Sequence, residues 1–124
     1  MGDPRPFMVN ALANADATLE HRSDDSGDAS ALGKAMVTGF NRSFCAQVKW
    51  SGLVAPSGNA PVISIECSND GKGYSQKAGC FLSMTAASGD TSIAPEHLQQ
   101  QYWRIHYLPN GAAAGVVTCV VYSH

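Results

Sequence analysis

Charge is scarce in this sequence. Asp, Glu, Lys and Arg make up 15% of its 124 residues, against the roughly 25% usual in soluble domains. Only eight residues are Lys or Arg, too few for the dense basic face that neutralising a phosphate backbone requires, so nucleic acid is set aside as a partner. Long apolar runs are missing too. The longest candidate, Gly111 to Tyr122, is broken by Thr118 and falls well short of the roughly 20 apolar residues of a membrane span. Near the start, Phe7-Met8-Val9 is interrupted at once by Asn10, whereas a secretory leader needs about 7–15 apolar residues in a row. The expectation is a protein made in the cytoplasm, with no membrane partner. No internal repeat is evident.

Cysteine is present without a metal pattern. Cys45, Cys67, Cys80 and Cys119 lie 22, 13 and 39 residues apart, with no C-x-x-C pair, so reduced, largely structural thiols are expected in place of a zinc site. His21, His97, His106 and His124 sit in no G-x-S-x-G, H-E-x-x-H or Cys-His signature, and solvated histidines are expected. Glu66 falls on the polar face of a strand. Asp24, Asp25 and Asp28 cluster loosely but miss the calcium-loop spacing. Asn69-Asp70-Gly71-Lys72-Gly73 lacks the Gly-Lys-Ser/Thr of a phosphate cradle and reads as a turn. Asn41-Arg42-Ser43 fits the glycosylation acceptor pattern, which matters only in a secretory compartment. No catalytic residue, metal or cofactor is expected.

What the chain does have is alternation and small residues, including 12 Gly. Phe44, Ala46, Val48 and Trp50 alternate with Cys45, Gln47 and Lys49; Ile63, Ile65 and Cys67 with Ser64, Glu66 and Ser68; Trp103, Ile105 and Tyr107 with Tyr102, Arg104 and His106. A period of two places one set inward and the other outward, the signature of half-buried strands. Asn69-Asp70-Gly71 should turn the second of these back on itself. Pro109-Asn110-Gly111 should make a hairpin of 103–107 with 116–122. Shorter strands fit 36–40 and 81–85, and a short helical turn is expected at Pro95, with Glu96 favouring its start. The reading is an all-β, antiparallel β-sandwich of about seven or eight strands, jelly-roll or immunoglobulin-like.

The net charge of −2 is unevenly distributed. Up to Asp28 six acids face Arg5 and Arg22, 2 − 6 = −4; from Ala29 onward six bases face four acids, 6 − 4 = +2. Residues 1–34 are therefore read as an extended acidic arm or loop with possible short strands, exposed around His21 to Asp28, and residues 35–124 as the sandwich. Outward-facing Lys49, Tyr102, Arg104 and His106, with Asp24, Asp25 and Asp28 of the arm, form the candidate interface, because Tyr and Arg are enriched where proteins meet. The arm is expected to dock on a neighbouring copy, and an extended arm can add a strand to an open edge.

Residues 43–122 carry a further pattern: Lys49-Trp50-Ser51-Gly52, then Ile63-Ser64-Ile65-Glu66-Cys67-Ser68-Asn69-Asp70-Gly71, an aromatic at Tyr74, Tyr102-Trp103-Arg104-Ile105-His106-Tyr107, and a Gly-rich turn before a last strand. This resembles small β-sandwich virion proteins of tailed bacteriophages. The resemblance implies a non-enzymatic capsid decoration (cement) protein that binds the outside of the major capsid protein shell, as a dimer or trimer, on the virion surface. The alternative is a carbohydrate- or receptor-binding module of a head fibre or tail, with Tyr74, Tyr102 and Tyr122 as sugar platforms. A small hydrolase using His97 or His106 comes third.

Overall fold

A computed structural model describes residues 7–31, 36–37, 42–98 and 102–123. Within them the strands are β1 (Phe7–Asp16), β2 (His21–Arg22), β3 (Met36–Val37), β4 (Arg42–Val54), β5 (Val62–Ser68), β6 (Ser75–Ser83), β7 (Gly89–Leu98), β8 (Tyr102–Leu108) and β9 (Ala114–Ser123). One sheet has the order β1-β9-β4-β7, the other β2-β8-β5-β6, and β3 also pairs with β8. Every pairing is antiparallel.

Because β2 meets β8 at Tyr107 and His106 while β3 meets it at Trp103 and Tyr102, the two short pieces act as one interrupted strand along a single edge. Counted so, the first strand pairs with the last, the second with the seventh, the third with the sixth and the fourth with the fifth. That nested order is a jelly roll, and it decides between the two topologies the periodicity allowed.

Side chains from both sheets fill the space between them. Ala46, Val48 and Trp50 of β4 and Val117, Cys119 and Val121 of β9 face Ile63, Ile65 and Cys67 of β5 and Trp103, Ile105 and Tyr107 of β8, all buried. The expected alternation is present in β4 and β8, and β9 follows the same pattern, whereas in β5 Ser64 and Ser68 of the polar set are buried along with the apolar set. The Asn69–Gly71 turn joins β5 to β6 as a hairpin, with Gly71 at φ 76°.

Three expectations are corrected. The first concerns the arm: residues 7–16 are β1, paired along β9, and Ala11, Leu12, Ala15 and Ala17 are core residues. A short strand at Phe7 to Asn10 is compatible with the sequence, but bulges between Asn10 and Ala15, with Asn14 at φ 50°, break the period of two and hide its continuation to Asp16. The second is the hairpin, since β8 and β9 belong to different sheets. Asn110 and Gly111 do turn, at φ 49° and 87°, but the loop is tied to the β4–β5 connection: Asn110 Nδ2 donates to the Ala60 carbonyl at 2.9 Å, and Ala113 N to that of Val54 at 2.7 Å. The chain therefore crosses between layers. The third is the helical turn, because Pro95 lies within β7. β7 is an edge strand with a bulge opposite Phe44 to Ala46, and at such a place a missing N–H costs no ladder bond. The part of the 36–40 strand beyond Val37, Asn41 of the glycosylation pattern and His124 lie outside the described residues.

Candidate functional site

On the outer face of the second sheet, β5 and β8 set Glu66 opposite Arg104 and Ser64 opposite His106. Glu66 bridges the two basic residues. Arg104 Nε donates to Glu66 Oε1 at 2.7 Å, and His106 Nδ1 lies 3.0 Å from Glu66 Oε2. From the other side, Arg104 Nη1 donates to Asp24 Oδ2 at 3.1 Å, and Glu20 Oε2 lies 2.6 Å from His106 Nε2 and accepts from Arg22 Nη2 at 3.2 Å. The guanidinium stacks 4.1 Å over the centre of the Tyr74 ring. Burial opposes the guanidinium charge, but the bonds to Glu66 and Asp24 outweigh it, so Arg104 holds its proton more firmly than usual. The bond from His106, acting against slight burial, keeps the Glu20 carboxyl below the ordinary range.

The acids Glu20 and Asp24 come from residues 16–28, which lie against the edge of β8 as a strap. Ser23 N donates to the Ile105 carbonyl at 2.9 Å, and Ile105 N donates to Ser23 Oγ at 2.8 Å. Tyr107 Oη donates to the Ala17 carbonyl at 2.7 Å. His21, read from the sequence as exposed, is only 3% accessible. Its Nδ1 meets Asp28 Oδ2, its Nε2 lies 2.6 Å from the Asp16 carbonyl, and its ring centre is 6.1 Å from that of Tyr107. Burial pushes the Asp28 carboxyl up, but bonds from Ser30 and His21 bring it below the usual range.

The first sheet presents a different outer face. Gln47 Nε2 donates to Asp90 Oδ1 at 2.9 Å, and Lys49 Nζ lies 3.9 Å from Asp90 Oδ2 in open solvent. At one end, Met8 is paired with Tyr122 and Tyr122 with Cys45, making a row across three strands in which Met8 is 72% and Tyr122 42% exposed. A shallow cleft of about 740 Å³ opens between the β4–β5 connection and residues 83–87; Leu53, Pro56, Asn59 and Met84 are among its lining, which includes no His, Cys, Asp, Glu, Lys or Arg. Among the described residues no three His, Cys, Asp or Glu side chains are grouped to hold a metal ion.

Of the expected interface residues, the structure unites Asp24, Arg104 and His106, with Tyr102 beside them on the same strand and packed against Gly71. Asp25 stays in the strap, accepting from Gly27 N at 2.9 Å, and Asp28 turns inward to His21. Lys49 belongs to the opposite sheet. Reasoning from sequence missed the roles of Glu20, His21 and Tyr74; Glu66 was legible as outward-facing, but its partners lie 38 and 40 residues away. No protein-family model and no curated protein matches this chain.

Proposed function

We propose that this protein is a non-enzymatic capsid decoration protein of a tailed bacteriophage, attached to the major capsid protein shell through the outer face of its first sheet. The observation that carries the reading is the contrast between the two outer faces. The Glu66, Arg104 and His106 group of the second sheet is engaged with Glu20 and Asp24, beside exposed Phe81 and Leu108, whereas the first sheet sets Met8, 72% exposed, against Tyr122, 42% exposed, in one row. Exposed apolar groups gathered on one face favour a protein contact.

The resemblance of residues 43–122 to small virion sandwiches supports the same reading, as does the jelly-roll order, which recurs in capsid domains. Fold-level analogy raises the expectation without fixing the partner. Repetition over a shell, as a dimer or trimer, would make individually weak contacts durable. The acidic segment is not free to fasten a neighbour, since it folds onto its own β8, and the fastening role passes to the sheet face. For the sugar-binding alternative, two of the three platforms are already engaged: Tyr74 lies under Arg104 and Tyr102 packs on Gly71.

The test is cosedimentation with undecorated heads built from the major capsid protein of the same genome, imaged by negative stain. The wild-type chain should saturate the heads, and the surface substitutions Met8→Asp and Tyr122→Asp should reduce occupancy at least tenfold while leaving the circular dichroism unchanged. Failure of the wild type to bind, or full occupancy by the double variant, overturns the proposal.

A further inference from the structure

We propose that Asn110-Gly111 is a site of spontaneous modification, deamidation of Asn110, and that the reaction irreversibly severs the tie between the β8–β9 and β4–β5 connections. Six residues of the chain are Asn, and only Asn110 is followed by Gly. Glycine matters because it has no side chain to hinder its own backbone nitrogen. In the reaction Gly111 N gives up its proton and bonds to Asn110 Cγ, while the Cγ–Nδ2 bond breaks and that nitrogen leaves as ammonia. A succinimide ring results. Water then opens it at either carbonyl, giving Asp, or isoaspartate with an extra methylene in the main chain. The sum is amide plus water to acid plus ammonia, with no change of oxidation state.

The fold decides when this happens. Asn110 and Gly111 form the turn at φ 49° and 87°, and Gly111 is exposed to the water that the chemistry needs. Asn110 itself is held at both ends: its Nδ2 donates to the Ala60 carbonyl at 2.9 Å, and its own carbonyl accepts from Asn59 Nδ2 at 2.7 Å. Moving Cγ onto Gly111 N breaks these ties, so the reaction proceeds through the opened loop. Asp70-Gly71 supplies the contrast. Its carboxylate accepts from the Lys72 and Gly73 amides at 2.9 and 3.0 Å, which with Ser68 hold its pKa down at about 2. An ionised carboxylate is a poor electrophile, and that turn stays intact.

Modification at Asn110 cannot be undone by reclosing the loop. In the Asp product a carboxylate oxygen takes the place of Nδ2, so two acceptors face each other at the Ala60 carbonyl with no proton between them. Isoaspartate also lengthens a turn in which Ala112 N donates to the Pro109 carbonyl at 3.0 Å and Ala113 N to that of Val54 at 2.7 Å. Pro56, Asn59 and Ala60 belong to the wall of the uncharged cleft, and that wall loses its fastening to the β8–β9 loop. The sheets keep their own ladders. The change is a property of the isolated chain and does not depend on attachment to a shell.

The experiment incubates the full chain at pH 8.5, folded and in urea, and follows each Asn by peptide mass spectrometry, with isoaspartyl methyltransferase to mark isoaspartate. Asn110 should react ahead of every other Asn in both states. Its folded rate should be about tenfold or more below the unfolded one, because two hydrogen bonds must open first. Asn59→Ala removes one of them and should raise the folded rate about threefold or more while leaving the unfolded rate alone. In Asn110→Asp, amide exchange at Ala112 and Ala113 should quicken while β5 and β8 keep their protection. Another Asn reacting first in the folded chain, equal folded and unfolded rates, an unchanged folded rate in Asn59→Ala, or undiminished protection of Ala113 in Asn110→Asp overturns the proposal.

Discussion

Replacing Gly89 by Ala should destabilise this fold more than its chemistry suggests. Gly89 is the cross-strand partner of Trp50, and the indole lies flat across the space where a side chain would stand. A Cβ at Gly89 would fall 2.3, 2.4 and 2.8 Å from Cζ2, Cη2 and Cε2 of Trp50, so the ring must move by more than 1 Å to reach ordinary contact at about 3.5–4 Å. The ring is only 8% exposed, and its Nε1 donates to the Ala86 carbonyl at 2.8 Å. Overpacking of this kind costs about 1–3 kcal/mol, and the displaced hydrogen bond adds about 1 kcal/mol. The sum, about 2–4 kcal/mol, is a large share of a typical stability of about 5–15 kcal/mol. At about 4 °C per kcal/mol for a domain of this size, Tm should fall by about 8–16 °C. The comparator is Gly52→Ala, at φ 63° with nothing within 4 Å of the added methyl, which should lose only the left-handed backbone penalty of about 1–2 kcal/mol. Urea and thermal unfolding followed by near-ultraviolet circular dichroism measure both. A Gly89→Ala protein within 0.5 kcal/mol of wild type, or more stable than Gly52→Ala, refutes the steric reasoning.

Two further outcomes follow from buried polar atoms. Tyr107→Phe removes the phenol that caps the Ala17 carbonyl and should cost about 1–2 kcal/mol in urea unfolding, since it strands a buried acceptor; an unchanged midpoint would show that the carbonyl finds another donor. In thiol labelling of the native protein at pH 8, half-buried Cys45 should react first and Cys67, Cys80 and Cys119 only on unfolding. Burial pushes the Cys67 thiol up to about 11, with Cys80 adding to the effect, and that of Cys119 to about 12, so little reactive thiolate is present; native-state labelling of Cys119 ahead of Cys45 would contradict the placement.

Strand interiors were legible because β4 and β8 each bury one face, and a period of two records that directly; in β5 the apolar set was legible although Ser64 and Ser68 of the other set are buried too. Pairing was not, because the same alternation serves two strands side by side in a sheet or face to face across a core. The turn at Asn110-Gly111 has hairpin chemistry, yet the hydrogen bonds of Asn110 and Ala113 commit it to a crossing between layers. Only the Phe7 to Asn10 part of β1 was legible, as a short strand, because the bulges beyond it place Ala11 and Leu12 together in the core. In the candidate site, Arg104 and His106 could be read as outward-facing, but Asp24 lies 80 and Glu20 86 residues away from them, and no local pattern encodes contacts at such range. His21 looked solvated for a related reason. Its neighbours are polar, and only the folded strap shows that the Asp16 backbone carbonyl and one oxygen of the Asp28 carboxylate meet its ring.

The uneven charge has a different meaning once the strap is in place. An acidic segment and a mildly basic sandwich are complementary, and sequence alone does not say whether they meet within one chain or between two. The connection does. Only residues 17–20 separate β1 in one sheet from β2 at the edge of the other, so a strap on its own β8 experiences an effective concentration in the millimolar range. A neighbouring copy in dilute solution cannot match it. Glu20 and Asp24 therefore close on His106 and Arg104 of their own chain.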